Sequence, residues 1–225
     1  WIEIEHELLG TYSGYVSGTG ELQTEWVNTK DEGWHYFDKD FGYIKMNSFV
    51  PARNGKGMTY VDDYGGIAYG IFVPSKVTQR ITEQDGLYRI GGSGKYYWVK
   101  DGAFYTGWLY LHYSAKTGLV WNTTAGGALE KMYFDPNDHG AMKIGTFRAD
   151  GRDYYSDISK YPDFCSADGY DYYASVQTLA GLFANYPEKY GKNPLDGRIV
   201  DANGAIVYNK LVKIAVWFGS EYGRE

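Results

Sequence analysis

A short phrase recurs along this chain and limits what it can fold into more than any other feature. The fullest copy runs Gly94-Lys95-Tyr96-Tyr97-Trp98-Val99-Lys100-Asp101-Gly102-Ala103-Phe104-Tyr105-Thr106-Gly107-Trp108. Looser copies lead from Tyr36-Phe37-Asp38 to Gly42 and Phe49, and from Tyr60-Val61-Asp62 to Gly65 and Phe72. Others lead from Tyr133-Phe134-Asp135 to Gly140 and Phe147, and from Ile199-Val200-Asp201 to Gly204 and Leu211. Tyr172-Tyr173 to Phe183 repeats the aromatic positions without the turn glycine. Self-similarity of this kind speaks first to architecture.

An aromatic or β-branched pair followed by Asp-x-x-Gly is a strand entering a turn whose last residue needs positive φ, which glycine adopts without steric cost. Each copy is thus a β-hairpin. One hairpin buries too little apolar surface to stand alone in water, so neighbours must stack and share a core. The expected fold class is all-β, an array of stacked β-hairpins of β-solenoid type with little helix. Twenty-four Tyr, 7 Trp and 10 Phe with 30 Gly against 6 Pro fit strands punctuated by glycine turns. The best helical stripe, Tyr173 to Tyr186 ahead of Pro187, is equally a decayed hairpin. The expected organisation is an N-terminal strand or cap over 1–32, hairpin repeats over 33–211 and a tail or cap over 212–225. The stretches Val73 to Gln84 and His112 to Leu129 are expected to project from the stack as insertions, and such loops often make the binding face of a repeat protein.

Charge and composition exclude several functions. A net charge of −6 with no basic stripe argues against nucleic acid, no stretch approaches the roughly 20 apolar residues of a membrane-spanning helix, and no polybasic run marks a membrane surface. Cys165 is the only cysteine, which rules out an intramolecular disulfide framework and a multi-cysteine metal site. Its surroundings match no protease signature, so a structural thiol is the default. Gly91-Gly92-Ser93-Gly94 lacks the lysine and helix of a phosphate loop. The acidic pairs near Asp62 and Asp135 sit where turns favour Asp in any case.

The segment Tyr96-Tyr97-Trp98-x-x-x-Gly102-x-x-x-Thr106-Gly107-Trp108 resembles the cell-wall-binding repeat of Gram-positive surface proteins, as found in choline-binding modules, glucan-binding regions and clostridial toxin tails. Tyr133-Phe134-Asp135 through Gly140-Ala141-Met142 is similar to it as well. The resemblance implies a secreted, cell-surface, non-catalytic module without cofactor. Its implied partners are cell-wall polysaccharide, the choline of teichoic acid, or glucan, held by aromatic faces through stacking or cation–π attraction. Carried onto this sequence, Trp108 takes the Gly-Trp position, with Tyr133 or Phe134 of the next unit facing it. Tyr97, Trp98, Trp121 and Trp34 complete the candidate ligand-binding set. Trp34, Trp98, Trp108 and Trp121 are expected at the surface, because a narrow solenoid has little room for indole.

Two other functions remain open at the level of sequence. A glycosidase needs two carboxylates across a cleft, and Glu25, Glu83, Glu130 and Asp153 are unassigned, yet their spacing singles out no pair. A structural or protein-interaction scaffold, self-associating through exposed strand edges, is the other.

Overall fold

The computed structural model describes residues 1–6, 10–30, 32–73, 75, 77–91, 94–114, 118–120, 128–160, 172–176 and 205–206. Among these the chain is β-structure throughout, with a single 3-10 turn at Pro136–Asp138 and no α-helix. Two compact units divide it: residues 1–145 with 156–176, and residues 146–155 with 177–225.

Within the first unit the repeat phrase folds as a hairpin with one hydrogen-bond signature. The residue three after the turn glycine donates its amide to the carbonyl of an aromatic in the strand before the turn. Lys45 donates to Tyr36 (2.9 Å), Ala68 to Tyr60 (3.0 Å), Tyr105 to Trp98 (2.8 Å) and Lys143 to Tyr133 (2.8 Å). The turn aspartates close the loops: Asp62 Oδ1 accepts from the amides of Tyr64 and Gly66, and Asp38 Oδ1 from those of Asp40 and Phe41.

The same signature appears where the phrase is not legible. Gln23 donates to Tyr15 (2.8 Å), Gly20 to the Ser17 carbonyl (3.0 Å), and Ser17 Oγ accepts from the amides of Thr19 and Glu21. Tyr15-Val16-Ser17-x-x-Gly20-x-Leu22 is therefore a hairpin of the same kind, with serine where the others carry aspartate. It is preceded by the antiparallel pair β1 (Ile2–His6) and β2 (Gly10–Gly14).

Hairpins are linked by strands that pair forward. β3 (Glu25–Asn28) is antiparallel to β4 (Trp34–Phe37), and β5 (Ser48–Pro51) to β6 (Met58–Val61). Three of the turns also dock backward: Tyr43 bridges to Gly14, Gly66 to His35 and Ala141 to Tyr97, in each case joining the residue after a turn glycine to the residue before the aromatic of another hairpin. This is the stacking that the repeats require.

The stretch from β7 (Tyr69–Phe72) to β15 (Ala141–Met142) forms a nine-stranded sheet of order β13-β12-β14-β15-β10-β9-β7-β8, with β11 (Ala103–Phe104) on β10. Its other members are β8 (Val77–Arg80), β9 (Gly86–Ile90), β10 (Tyr96–Lys100), β12 (Gly107–Ser114), β13 (Gly118–Val120) and β14 (Ala128–Asp135). β10 is buried on both faces: Tyr96 and Trp98 pack with Leu87, Leu109 and Phe134, whereas Tyr97 and Val99 pack with Tyr88, Ile90 and Phe104.

The expectation that Val73 to Gln84 projects from the stack is corrected. Val73 is buried, Ile81 is 0 % exposed inside the core, and β8 lies along β7 as sheet. The second presumed insertion, His112 to Leu129, continues the β12/β14 pair out to Tyr113 opposite Ala128, and β13 adds to its edge. Ser156 to Lys160 of β17 (Arg152–Lys160) pairs with β18 (Tyr172–Val176), so the start of the supposed helical stripe is strand. Cys165 and Leu211 lie outside the described residues.

In the second unit, residues 146–149 of β16 (Gly145–Ala149) neighbour β17 across a turn at Asp150-Gly151. Phe147 stacks on Tyr154 at 5.7 Å, and Ile206 donates its amide to Asp153.

Equivalent ion pairs brace two turns of the first unit, Lys45 to Asp38 at 2.8 Å and Lys143 to Asp135 at 2.6 Å. Burial pushes both carboxyls up, but the hydrogen bond from lysine and those from turn amides outweigh it, so both titrate below the usual range. A carboxyl depressed in the folded state contributes stability above its unfolded value, near pH 4, which is lost as pH falls through the folded value. Asp38→Asn with Asp135→Asn is therefore expected to lower the urea midpoint at pH 7 and to match wild type progressively below pH 4. A deficit that persists unchanged at pH 2.5 would assign the effect to the turn amides instead.

Candidate functional site

Strand β12 reads Gly107-Trp108-Leu109-Tyr110-Leu111, an aromatic/aliphatic alternation that gives a strand two unlike faces. Leu109 and Leu111 point into the core with Met132 and Phe134 of β14. Trp108 and Tyr110 take the opposite face. The register places Trp108 across from Tyr133 and Tyr110 across from Lys131, and directly opposed residues share a face.

The result is a small aromatic strip. The Trp108 and Tyr133 rings meet at 4.9 Å between centroids with a tilt of 59°. Lys131 Nζ lies over the Trp108 ring at 4.1 Å and 5.8 Å from the Tyr110 ring. Tyr110 is 48 % exposed, while Trp108 and Tyr133 are half-buried. Tyr105 donates its hydroxyl to the Trp108 carbonyl at 2.9 Å, which fixes the backbone beneath the indole. Such a face offers ring surfaces and one ammonium.

Of the residues expected here, the structure brings Trp108 and Tyr133 together and separates the rest. Phe134, Tyr97 and Trp98 are corrected: they are 0, 1 and 2 % exposed and belong to the core. Phe134 follows Tyr133 and so points to the other side of β14. Tyr97 and Trp98 lie on a strand covered on both faces, which leaves room for indole where a thin solenoid was expected to have none. Trp34 is half-buried at a separate place, with the Arg53 guanidinium 3.7 Å above its ring. Trp121 lies outside the described residues.

Sequence reasoning missed Tyr110 and Lys131. The signal for Tyr110 was present in its alternation with Leu109 and Leu111, which marks a strand with one solvent-facing side. Lys131 had no local signal, because its place over Trp108 follows from the β12/β14 register. Among the described residues no group of three or more His, Cys, Asp or Glu side chains is arranged to hold a metal ion, and no helix is long and apolar enough to cross a membrane.

No protein-family model matches the chain, and no curated protein matches it. Solved structures do. CbpF in complex with ipratropium is 19 % identical, with 92 % of this chain and 48 % of that chain covered and a TM-score of 0.42. CbpJ from Streptococcus pneumoniae is 18 % identical over 91 % of this chain and 57 % of that chain, with a TM-score of 0.32. Alternansucrase in complex with isomaltotriose is 17 % identical over 64 % of this chain and 10 % of that chain, with a TM-score of 0.22. Choline-binding protein F of Streptococcus pneumoniae in another crystal form is 18 % identical over 92 % of this chain and 57 % of that chain, with a TM-score of 0.28. The chain spans about half the length of the first of these structures. At this similarity no residue's role is transferred.

Proposed function

We propose that this chain is a non-catalytic module that attaches to cell-wall or other glycan polymer through surface aromatics. The observation that carries the reading is the outer face of β12 and β14, where Trp108, Tyr110 and Tyr133 stand together while their strand neighbours fill the core. Rings that reach solvent side by side offer a contact surface, and ring faces stack on the apolar faces of sugars without an acid, base or nucleophile. Cell-surface placement of the module belongs to the same proposal.

Within this reading sugar is favoured over the choline of teichoic acid. A quaternary ammonium is held by lying over ring faces, and the Lys131 ammonium already takes that position on Trp108.

Indole fluorescence of the full chain, titrated separately with soluble cell-wall polysaccharide, α-glucan and choline, tests the proposal. A saturable change with one of the polysaccharides is expected. A folded protein that responds to neither polysaccharide overturns it and favours a scaffold. Turnover of a glycan that is abolished by one carboxylate substitution overturns its non-catalytic part.

A further inference from the structure

Two clefts of the first unit share Asn54 and Asp101 in their walls. The one beside Trp26, of about 410 Å³, carries the carboxylates of Glu83 and Asp85 with Arg53. The other, of about 390 Å³, has the opposite balance: Lys56, Lys100 and His139 line it, and Asp101 is the one acidic residue among its described lining. Three bases against one acid run counter to a chain of net charge −6. A cleft wall that gathers charge of one sign concentrates ligands of the other.

The three bases come from distant parts of the sequence, and the backbone beneath each is fixed. Lys56 belongs to the turn between β5 and β6, where its amide donates to Asn54 Oδ1 at 2.8 Å. Asn54 Nδ2 donates in turn to the Asp101 carbonyl at 2.8 Å, which ties this turn to the one after β10. Lys100 ends β10, paired with Ala103 of β11. His139 follows the 3-10 turn with left-handed backbone, φ +51°, and its ring stacks on Phe49 at 4.2 Å with a tilt of 21°.

The kind of base narrows the anion. A planar carboxylate matches the fork of a guanidinium, whereas the donors here are two ammonium groups and an imidazole that enter from three separate turns. A phosphate presents three strong acceptor oxygens in different directions and pairs with lysine as a point charge. The cleft is larger than a phosphate alone and falls within the range of small-ligand sites. The rest of its lining fits a short polyol: the Asp101 carboxylate accepts from hydroxyls, and Met58 and Pro136 offer apolar contact to the carbon chain. We propose that this cleft is an anion site for a phosphorylated polyol, in which Lys56, Lys100 and His139 donate to phosphate oxygens and Asp101 accepts from a hydroxyl. No ring face is needed, so the site is independent of the aromatic strip.

The test is amide chemical-shift titration of the full chain with glycerol 3-phosphate and, separately, glycerophosphoglycerol, against glycerol and acetate as controls. Shifts of the Gly57, Ala103 and Thr106 amides are expected with at least one of the two phosphates, and which one responds distinguishes a terminal phosphate from one inside a polymer. The response should weaken as salt is raised and persist in Trp108→Ala. Lys56→Gln and Lys100→Gln, both at exposed positions, should each weaken it about fivefold, the upper end for an exposed ion pair. Lys39→Gln, exposed and outside the cleft, changes net charge equally and should leave it unaltered. The proposal is overturned if neither phosphate moves these amides, if glycerol or acetate moves them as strongly, if both cleft variants titrate like wild type, or if Lys39→Gln costs as much as they do. Loss of polysaccharide binding in Trp108→Ala with the phosphate response retained leaves this site standing whatever becomes of the proposed function.

Discussion

Alanine at Gly140 is expected to destabilise the protein by about 2 to 5 kcal/mol, well beyond the same change at Gly20. Both glycines close repeat hairpins with left-handed backbone, φ +90° at Gly140 and +85° at Gly20. For an L-residue that conformation costs about 1 to 2 kcal/mol, and the two sites share this cost. They differ in what lies beside them. A Cβ on Gly140 would sit 2.6 Å from the Tyr105 carbonyl oxygen and 3.2 Å from Phe104 Cβ, whereas one on Gly20 meets nothing within 4 Å. The Tyr105 oxygen is backbone and cannot swing aside, so overpacking adds about 1 to 3 kcal/mol at Gly140 alone. Urea midpoints of the two variants measure the difference directly. Equal losses would show that turn conformation, and not close stacking of one hairpin on the last, selects glycine here.

Removal of the Trp108 indole is expected to weaken polysaccharide binding about thirtyfold. Truncating an aromatic anchor at the centre of a contact surface costs about 2 kcal/mol, and every 1.4 kcal/mol or so is a factor of ten. Trp108 faces away from the core, which Leu109 and Leu111 fill from the same strand, so Trp108→Ala should keep the β-sheet circular dichroism and most of the urea midpoint. Lys131→Ala separates the two ways a ring face can be used. With the ammonium gone from above Trp108, polysaccharide binding should stay within about threefold while choline binding becomes measurable, since a cation–π contact contributes about 0.5 to 2 kcal/mol. Unchanged polysaccharide affinity in a folded Trp108→Ala protein would remove the strip from the proposed function.

The repeat hairpins were legible in the sequence because their determinants are local. Asp62 finds its hydrogen-bond partners within four residues, at Tyr64 and Gly66, and Gly65 supplies the positive φ the turn needs. A strand-turn-strand phrase of this length carries its own instructions, and so the all-β stack of hairpins follows from residues read in order. The hairpin at Tyr15 to Leu22 does not carry the phrase, because Ser17 does with a hydroxyl what aspartate does elsewhere.

Which ring meets solvent is another matter. Tyr96, Tyr97, Trp98 and Tyr133 look alike as letters, and three of them are core because β10 is covered on both faces by strands and side chains far along the chain. Trp108 and Tyr133 meet only through the register of β12 with β14, and Lys131 reaches the indole only because the same register sets it opposite Tyr110. The cleft beside Trp26 draws on residues from Trp26 to Gly102 and so exists only once the hairpins are stacked. Local turn chemistry, acting over a few residues, is determined by sequence alone. Burial and juxtaposition depend on which distant segments cover a given face, and here only the tertiary structure decided them.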